Sequence, residues 1–225
     1  MAAAAAIDPQ VLTIQGRLSY PTFKYKDAVV RNAKSQYVKD AADVFPEFNI
    51  LLTQGQLDAV TSHIRDVFIP WCISQGKAKD KSGLSDAEAK RITDLIASGD
   101  WENQPPYIPI KPVPVKTQPL APEAVAMFKI NGQKGVDIEQ KAVVLNEGEL
   151  AVPDPTRVKY PVILPIDETV HAIQSGFVVA TTINLYAYLS GKVPGITAQA
   201  KAVVFKEKAA QFGGGVELDE DAIFA

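Results

Sequence analysis

The 225-residue sequence predicts a mainly β protein with inserted helices, and three observations carry that prediction. Apolar residues alternate with period two from Val11 to Phe23 and again from Phe177 to Leu189. The period switches to 3.6 only between Gln56 and Gly99. Seven of the 16 prolines crowd between Pro105 and Pro122, where neither helix nor central strand can form. With 47% hydrophobic and 22% charged residues, the composition is that of a soluble globular chain. No apolar stretch reaches the roughly 20 residues that a membrane helix requires.

The elements follow in chain order. Met1–Ala6 is a methionine and five alanines with no basic residue ahead of them, which is no secretory signal, and residues 1–10 are expected to form a flexible N-terminal tail. In the first strand Leu12, Ile14, Leu18 and Tyr20 share the core face, so Arg17 points away from it. A polar stretch rich in lysine and tyrosine separates it from a second strand over Val44–Thr53, and long loops of this kind often carry function. Leu57, Val60, Ile64, Val67, Phe68 and Trp71 then mark an amphipathic helix ending near Pro70. Ser85 and Glu88 form a capping box for a second helix, with Leu84 ahead of it, Ile92, Leu95 and Ile96 on one face, and Gly99 as its stop. The proline-rich stretch reads as a stiff surface connector, a spacer or wrapping arm. Strands return at Ala126–Asn131, Lys141–Leu145 and Val158–Leu164. A terminal hairpin joins Phe177–Leu189, with its odd-numbered residues on the core face, through a turn at Ser190–Gly195 to Ile196–Lys206. Thr197, Gln199, Lys201 and Val203 are expected on one side of that last strand. The expected organisation is one domain over 11–212, with a helical insertion at about 55–99 and the proline-rich arm at about 100–122, followed by a tail over 213–225.

Charge is unevenly placed. The chain carries 23 Lys+Arg against 26 Asp+Glu, but its last ten residues, VELDEDAIFA, hold Glu217, Asp219, Glu220 and Asp221 and no base. Without them the balance is 23 against 22, so a net charge of −3 becomes +1. This acidic end follows Gly213–Gly215 and interleaves its acids with Val216, Leu218, Ile223 and Phe224; composition alone reads it either as a solubilising end or as a mobile tail able to engage a partner.

Several chemistries lack their usual carriers. Cys72 is the single cysteine, which excludes an internal disulfide and an all-thiolate zinc site and suits a reducing cytoplasm. His63 and His171 have no second histidine or cysteine at ligand spacing. No phosphate-binding loop, dinucleotide fingerprint or nucleophile elbow occurs, so no cofactor and no catalysis are expected. The loop carboxylates Asp154, Asp167 and Glu168 leave a metal-dependent nuclease as a third reading, behind a structural or decoration protein of a virion.

What remains suits binding. Single-stranded nucleic acid is held by cations along its phosphates and by aromatic planes beneath its bases. The candidate cations are Arg17, Lys24, Lys26, Arg31, Lys34 and Lys201; the candidate aromatics are Tyr25, Tyr37, Tyr186 and Tyr188, with Tyr20 added from the first strand.

Three segments, GRLSYPTF (Gly16–Phe23), SGFVVATTINLYAYLSGKVPGITAQAKAVVFKE (Ser175–Glu207) and GGGVELDEDAIFA (Gly213–Ala225), resemble a family of tailed-phage single-stranded DNA-binding proteins. They cover 8, 33 and 13 residues, about a quarter of the chain, in the family's order. The resemblance implies an OB-fold-like antiparallel barrel with a helical insertion and a disordered acidic C-terminal tail. It also implies a non-catalytic role, coating exposed strands during phage DNA replication and recombination in the cytoplasm of the infected bacterial host. Single-stranded DNA is then the expected ligand, for a monomer or weak oligomer. The tail, through Glu217, Asp219, Glu220, Asp221 and Phe224, is expected to meet a polymerase, helicase or recombinase. Related proteins of short-tailed phages end on an aromatic residue, whereas here Ala225 follows Phe224.

Overall fold

The alternation of the first strand is realised in β1 (Val11–Thr22) as far as Leu18, with Ile14 and Leu18 buried and Thr13 and Gln15 exposed, but Ser19, in the outward phase, is buried too. The computed structural model describes residues 8–22, 46–75, 83–101, 107–132, 143–146, 152–153, 161–162, 175–207 and 209. Its strands continue with β2 (Glu47–Leu52), β3 (Ile110–Lys111), β4 (Ala126–Asn131), β5 (Val143–Asn146), β6 (Val152–Pro153), β7 (Pro161–Val162), β8 (Val178–Ser190) and β9 (Val193–Glu207).

β1 pairs antiparallel with β2 and β8, β2 with β4, and β8 with β9. A parallel pair, Asn131↔Gln199, joins β4 to β9 and closes β1, β2, β4, β9 and β8 into a ring. Around that ring the five strands run first, second, third, fifth, fourth in chain order, an OB-fold-like barrel. β3 lies outside it on β4, β5 extends β9 in parallel, and β6 and β7 form a separate ribbon.

Alternation fills the barrel. Phe48, Ile50, Leu52, Phe128, Ile130, Val179, Ile183 and Leu185 are all buried in one cluster, each large side chain contributing roughly 1.5–3 kcal/mol by leaving water. The odd face of β8 is core as far as Ala187, but Leu189 is exposed near the hairpin tip. The turn there is tighter than Ser190–Gly195: Ser190 already pairs with Val193, and Gly191 takes a positive φ of 63°. Gly16 is required where β1 crosses β2, because a Cβ there would lie 2.5 Å from the Leu51 carbonyl oxygen.

The helices form an excursion between β2 and β4. In α1 (Gln54–His63) the Thr53 backbone N–H donates to Gln56 Oε1 at 2.8 Å, and Gln56 Nε2 donates to the Gln15 carbonyl at 2.6 Å, tying the helix start to β1. The expected stop at Pro70 is not realised. A π-helical turn over Ile64–Phe68, in which the Ile69 N–H donates to the Ile64 carbonyl five residues back, carries the chain into α2 (Ile69–Gln75). The wider turn accommodates a proline ring that would crowd the carbonyl four residues back in a regular helix. α3 (Asp86–Ser98) has the expected capping box, with Ser85 N–H to Glu88 Oε2 at 2.7 Å, and ends at Gly99 with φ 69°.

Two further expectations are corrected. The proline-rich segment is not a surface spacer: Ile108, Ile110, Val113 and Ala121 are buried, and β3 is a two-residue edge strand, short enough for prolines to flank it. The alternation expected along the last strand also breaks. Thr182 pairs with Ala202 but Ile183 with Ala200, so Lys201 is the extra residue of a β-bulge. Beyond it the phase flips, and Val203 is buried opposite Thr181 instead of sharing the face of Thr197 and Gln199.

Candidate nucleic-acid interface

On the outer face of β8 stand Thr182, Asn184, Tyr186 and Tyr188, all half-buried. Their direct partners on β9 are Gln199 for Asn184, Thr197 for Tyr186 and Gly195 for Tyr188. The Asn184 side-chain amide donates to the Tyr186 hydroxyl at 3.3 Å. The surface continues over the barrel seam, because Asn131 Nδ2 on β4 donates to Thr197 Oγ1 at 3.0 Å. Two residues back along β4, and on the same face by strand periodicity, Lys129 holds Glu47 of β2 at 2.6 Å. Lys111 on β3, opposite Met127, completes the row. Burial, and then the neighbouring Lys129 ammonium, lower the Lys111 pKa from its ordinary value.

An aromatic group ends this face at the hairpin tip. Tyr107 is 42% exposed and bridges the β9 backbone, its N–H donating to the Pro194 carbonyl and its carbonyl accepting from Ile196 N–H. Tyr188 packs over Gly195 between them, and burial, followed by Tyr107, raises its pKa.

The expected site residues are distributed unevenly. Tyr186 and Tyr188 share the outer face, and Lys201 is exposed in the bulge. Arg17 is also on the outward side of β1, but its guanidinium is committed: Nε donates to the Gly176 carbonyl at 3.2 Å, and Nη1 donates to the Leu120 carbonyl at 3.1 Å and faces Glu123 at 3.4 Å. A cleft beside it of about 140 Å³ is well below the size of a nucleotide pocket. Tyr20 lies in β1, its side chain outside the described residues. Lys24, Tyr25, Lys26, Arg31, Lys34 and Tyr37, and the tail residues Glu217, Asp219, Glu220, Asp221 and Phe224, also lie outside them. The first six lie in the sequence between Thr22 and Glu47, which are register partners, and Glu47 pairs with Lys129.

Tyr107, Lys111, Lys129 and Asn131 were not legible as site residues. Strand phase alone puts Met127, Lys129 and Asn131 outward in AMFKIN, but the meeting of Asn131 with Thr197 depends on barrel closure. Tyr107 and Lys111 sit within or beside proline-rich sequence that carries no periodic signal. Among the described residues, no group of three or more His, Cys, Asp or Glu gathers, and no helix is long and apolar enough to cross a membrane.

No protein-family model matches the chain, and no curated protein matches it closely. Solved structures do. The single-stranded DNA-binding protein from bacteriophage Enc34 in complex with ssDNA is 14% identical, with a TM-score of 0.52, over 91% of this chain and 90% of that one. Another structure of the Enc34 protein is 15% identical, with a TM-score of 0.49, over 95% and 90%. The bacteriophage T7 single-stranded DNA-binding protein gp2.5 is 13% identical, with a TM-score of 0.44, over 94% and 93%. Over nine-tenths of its length, then, the chain has the fold of a phage single-stranded DNA-binding protein.

Proposed function

We propose that this protein binds single-stranded DNA without reading its sequence and coats exposed strand during phage DNA replication and recombination, with no chemical step. The observation that carries the reading is the continuous outer face from Tyr186 through Thr197 and Asn131 to Lys129 and Lys111. It lies on a barrel whose Enc34 counterpart is described in complex with ssDNA. Phosphates supply affinity through the lysines, and bases stack on exposed tyrosine, each stack being worth roughly 1–3 kcal/mol. Lys24, Tyr25, Lys26, Arg31, Lys34 and Tyr37 extend the cationic and aromatic set in the sequence between Thr22 and Glu47. The acidic tail occupies the basic surface when strand is absent and is released to replication proteins when strand binds.

Anisotropy of a labelled oligo-dT strand, repeated with duplex DNA and across salt concentrations, tests this. Tight, salt-weakened binding to the single strand and much weaker binding to duplex is expected. No binding at low salt, even after removal of Val216–Ala225, would overturn the reading. Removal of the tail should itself tighten binding at low salt.

A further inference from the structure

Lys111, Lys129 and Glu47 lie in a diagonal row across β3, β4 and β2, two ammonium groups to one carboxylate. Glu47 and Lys129 are neighbours by register, Glu47 standing opposite Asn131 and Lys129 opposite Asn49, and their 2.6 Å ion pair is partly exposed, at 22% and 39%. On the far side of Lys129, Lys111 is half-buried, and among the described residues no carboxylate pairs with it. A half-buried ammonium set beside a second one is locally unfavourable, and such departures concentrate where a ligand supplies the missing charge. The lowered pKa of Lys111 has the same origin.

We infer that Lys111 and Lys129 form a subsite for one backbone phosphate of the bound strand, and that Glu47 is a built-in competitor which holds Lys129 until the phosphate displaces it. The inference rests on the proposed function and adds the regulation of that surface by an internal anion. A partly exposed ion pair is weak enough to be exchanged for a phosphate flanked by two lysines. Glu47 is well placed to yield, since it stands at the first position of β2, where its strand emerges.

The test is oligo-dT anisotropy across a salt series with the full-length protein and single variants. Glu47→Gln is expected to tighten binding about two- to fivefold at low salt, because the same phosphate is bound without an ion pair to displace. Asp94→Asn, which removes the same charge from the exposed Lys90–Asp94 pair on α3, should leave the affinity unchanged. Lys111→Gln, at the sheet edge and outside the ion pair, should weaken binding and flatten the slope by about 0.7. Unchanged or weaker binding by Glu47→Gln with an unchanged melting temperature would overturn the competitor. An unchanged slope in Lys111→Gln would overturn the subsite, and it keeps the test decisive if the Glu47 variant folds poorly. Failure of the unaltered protein to bind oligo-dT at all would remove the underlying reading, and this inference with it.

Discussion

Tyr188 and Gly195 face each other across β8 and β9, and the tyrosine ring fills the space that a side chain on the glycine would need. A Cβ at Gly195 would lie 2.4 Å from Tyr188 Cζ and 2.6 Å from its hydroxyl oxygen. An aromatic covering a strand glycine restores contacts that the missing side chain forfeits. Gly195→Ala is therefore expected to cost roughly 1–3 kcal/mol, the range for overfilling a packed site. Urea denaturation would show it as a lower midpoint, and an unchanged midpoint would mean that Tyr188 relocates freely.

The same packing makes stability depend on alkaline pH. Burial, and secondarily Tyr107, raise the folded-state pKa of Tyr188 above its unfolded value near 10. The unfolded chain thus releases the phenolic proton first. The contribution to stability is fully present below the unfolded pKa and is lost as pH rises through the folded one. Unfolding free energy measured from pH 9 upward should fall more steeply in the unaltered protein than in Tyr188→Phe. Parallel curves would show that the phenol does not feel its surroundings.

Arg17 separates a structural cation from a binding one. Its guanidinium fastens β1 to the Gly176 and Leu120 carbonyls and to Glu123. Arg17→Gln should lower stability by roughly 1–2 kcal/mol, since hydrogen bonds to charged groups are worth more than neutral ones. It should leave the salt slope of oligo-dT binding where it was. A flatter slope with full stability would instead place Arg17 on the phosphates.

Cys72 is a buried thiol in α2, and burial pushes its pKa up to about 12. The thiolate needed for reaction is then scarce at pH 8. A disulfide exchange reagent should leave the folded protein unmodified and label one thiol per chain in denaturant. Rapid labelling of the folded protein would reveal local opening of the helical excursion.

Legibility in the sequence followed the range of the interactions. Strand phase in β1, β4 and the first two-thirds of β8, the Ser85–Glu88 cap and the Gly99 stop are each set by residues a few positions apart, and they were readable. The bulge at Lys201 was not, because an extra residue in β9 is defined only against the register of β8. Pro70 reads as a stop in the sequence because a π-helical turn leaves no pattern in the apolar spacing. The candidate site divides in the same way. Tyr186 and Tyr188 follow from alternation, whereas Lys111, Lys129 and Tyr107 come to one surface only because β4 meets β9 across the seam and the proline-rich segment supplies an edge. Strand phase shows that Arg17 faces away from the core, but its carbonyl partners at positions 120 and 176 are long-range contacts with no local trace.

The joint between β4 and β5 gives the barrel a splice point. Both strands run along the same edge of β9: Asn131 sits opposite Gln199, and Val143 opposite Ala202. The chain between them thus departs and returns at places only three positions apart on β9, about 10 Å of strand. When the ends of an excursion are pinned so close together, doubling its length costs only about 0.6 kcal/mol of closure entropy. Cargo peptides or reporter tags inserted there are expected to leave every ring pairing in register, and length differences among proteins built on this barrel are expected to accumulate at this joint first.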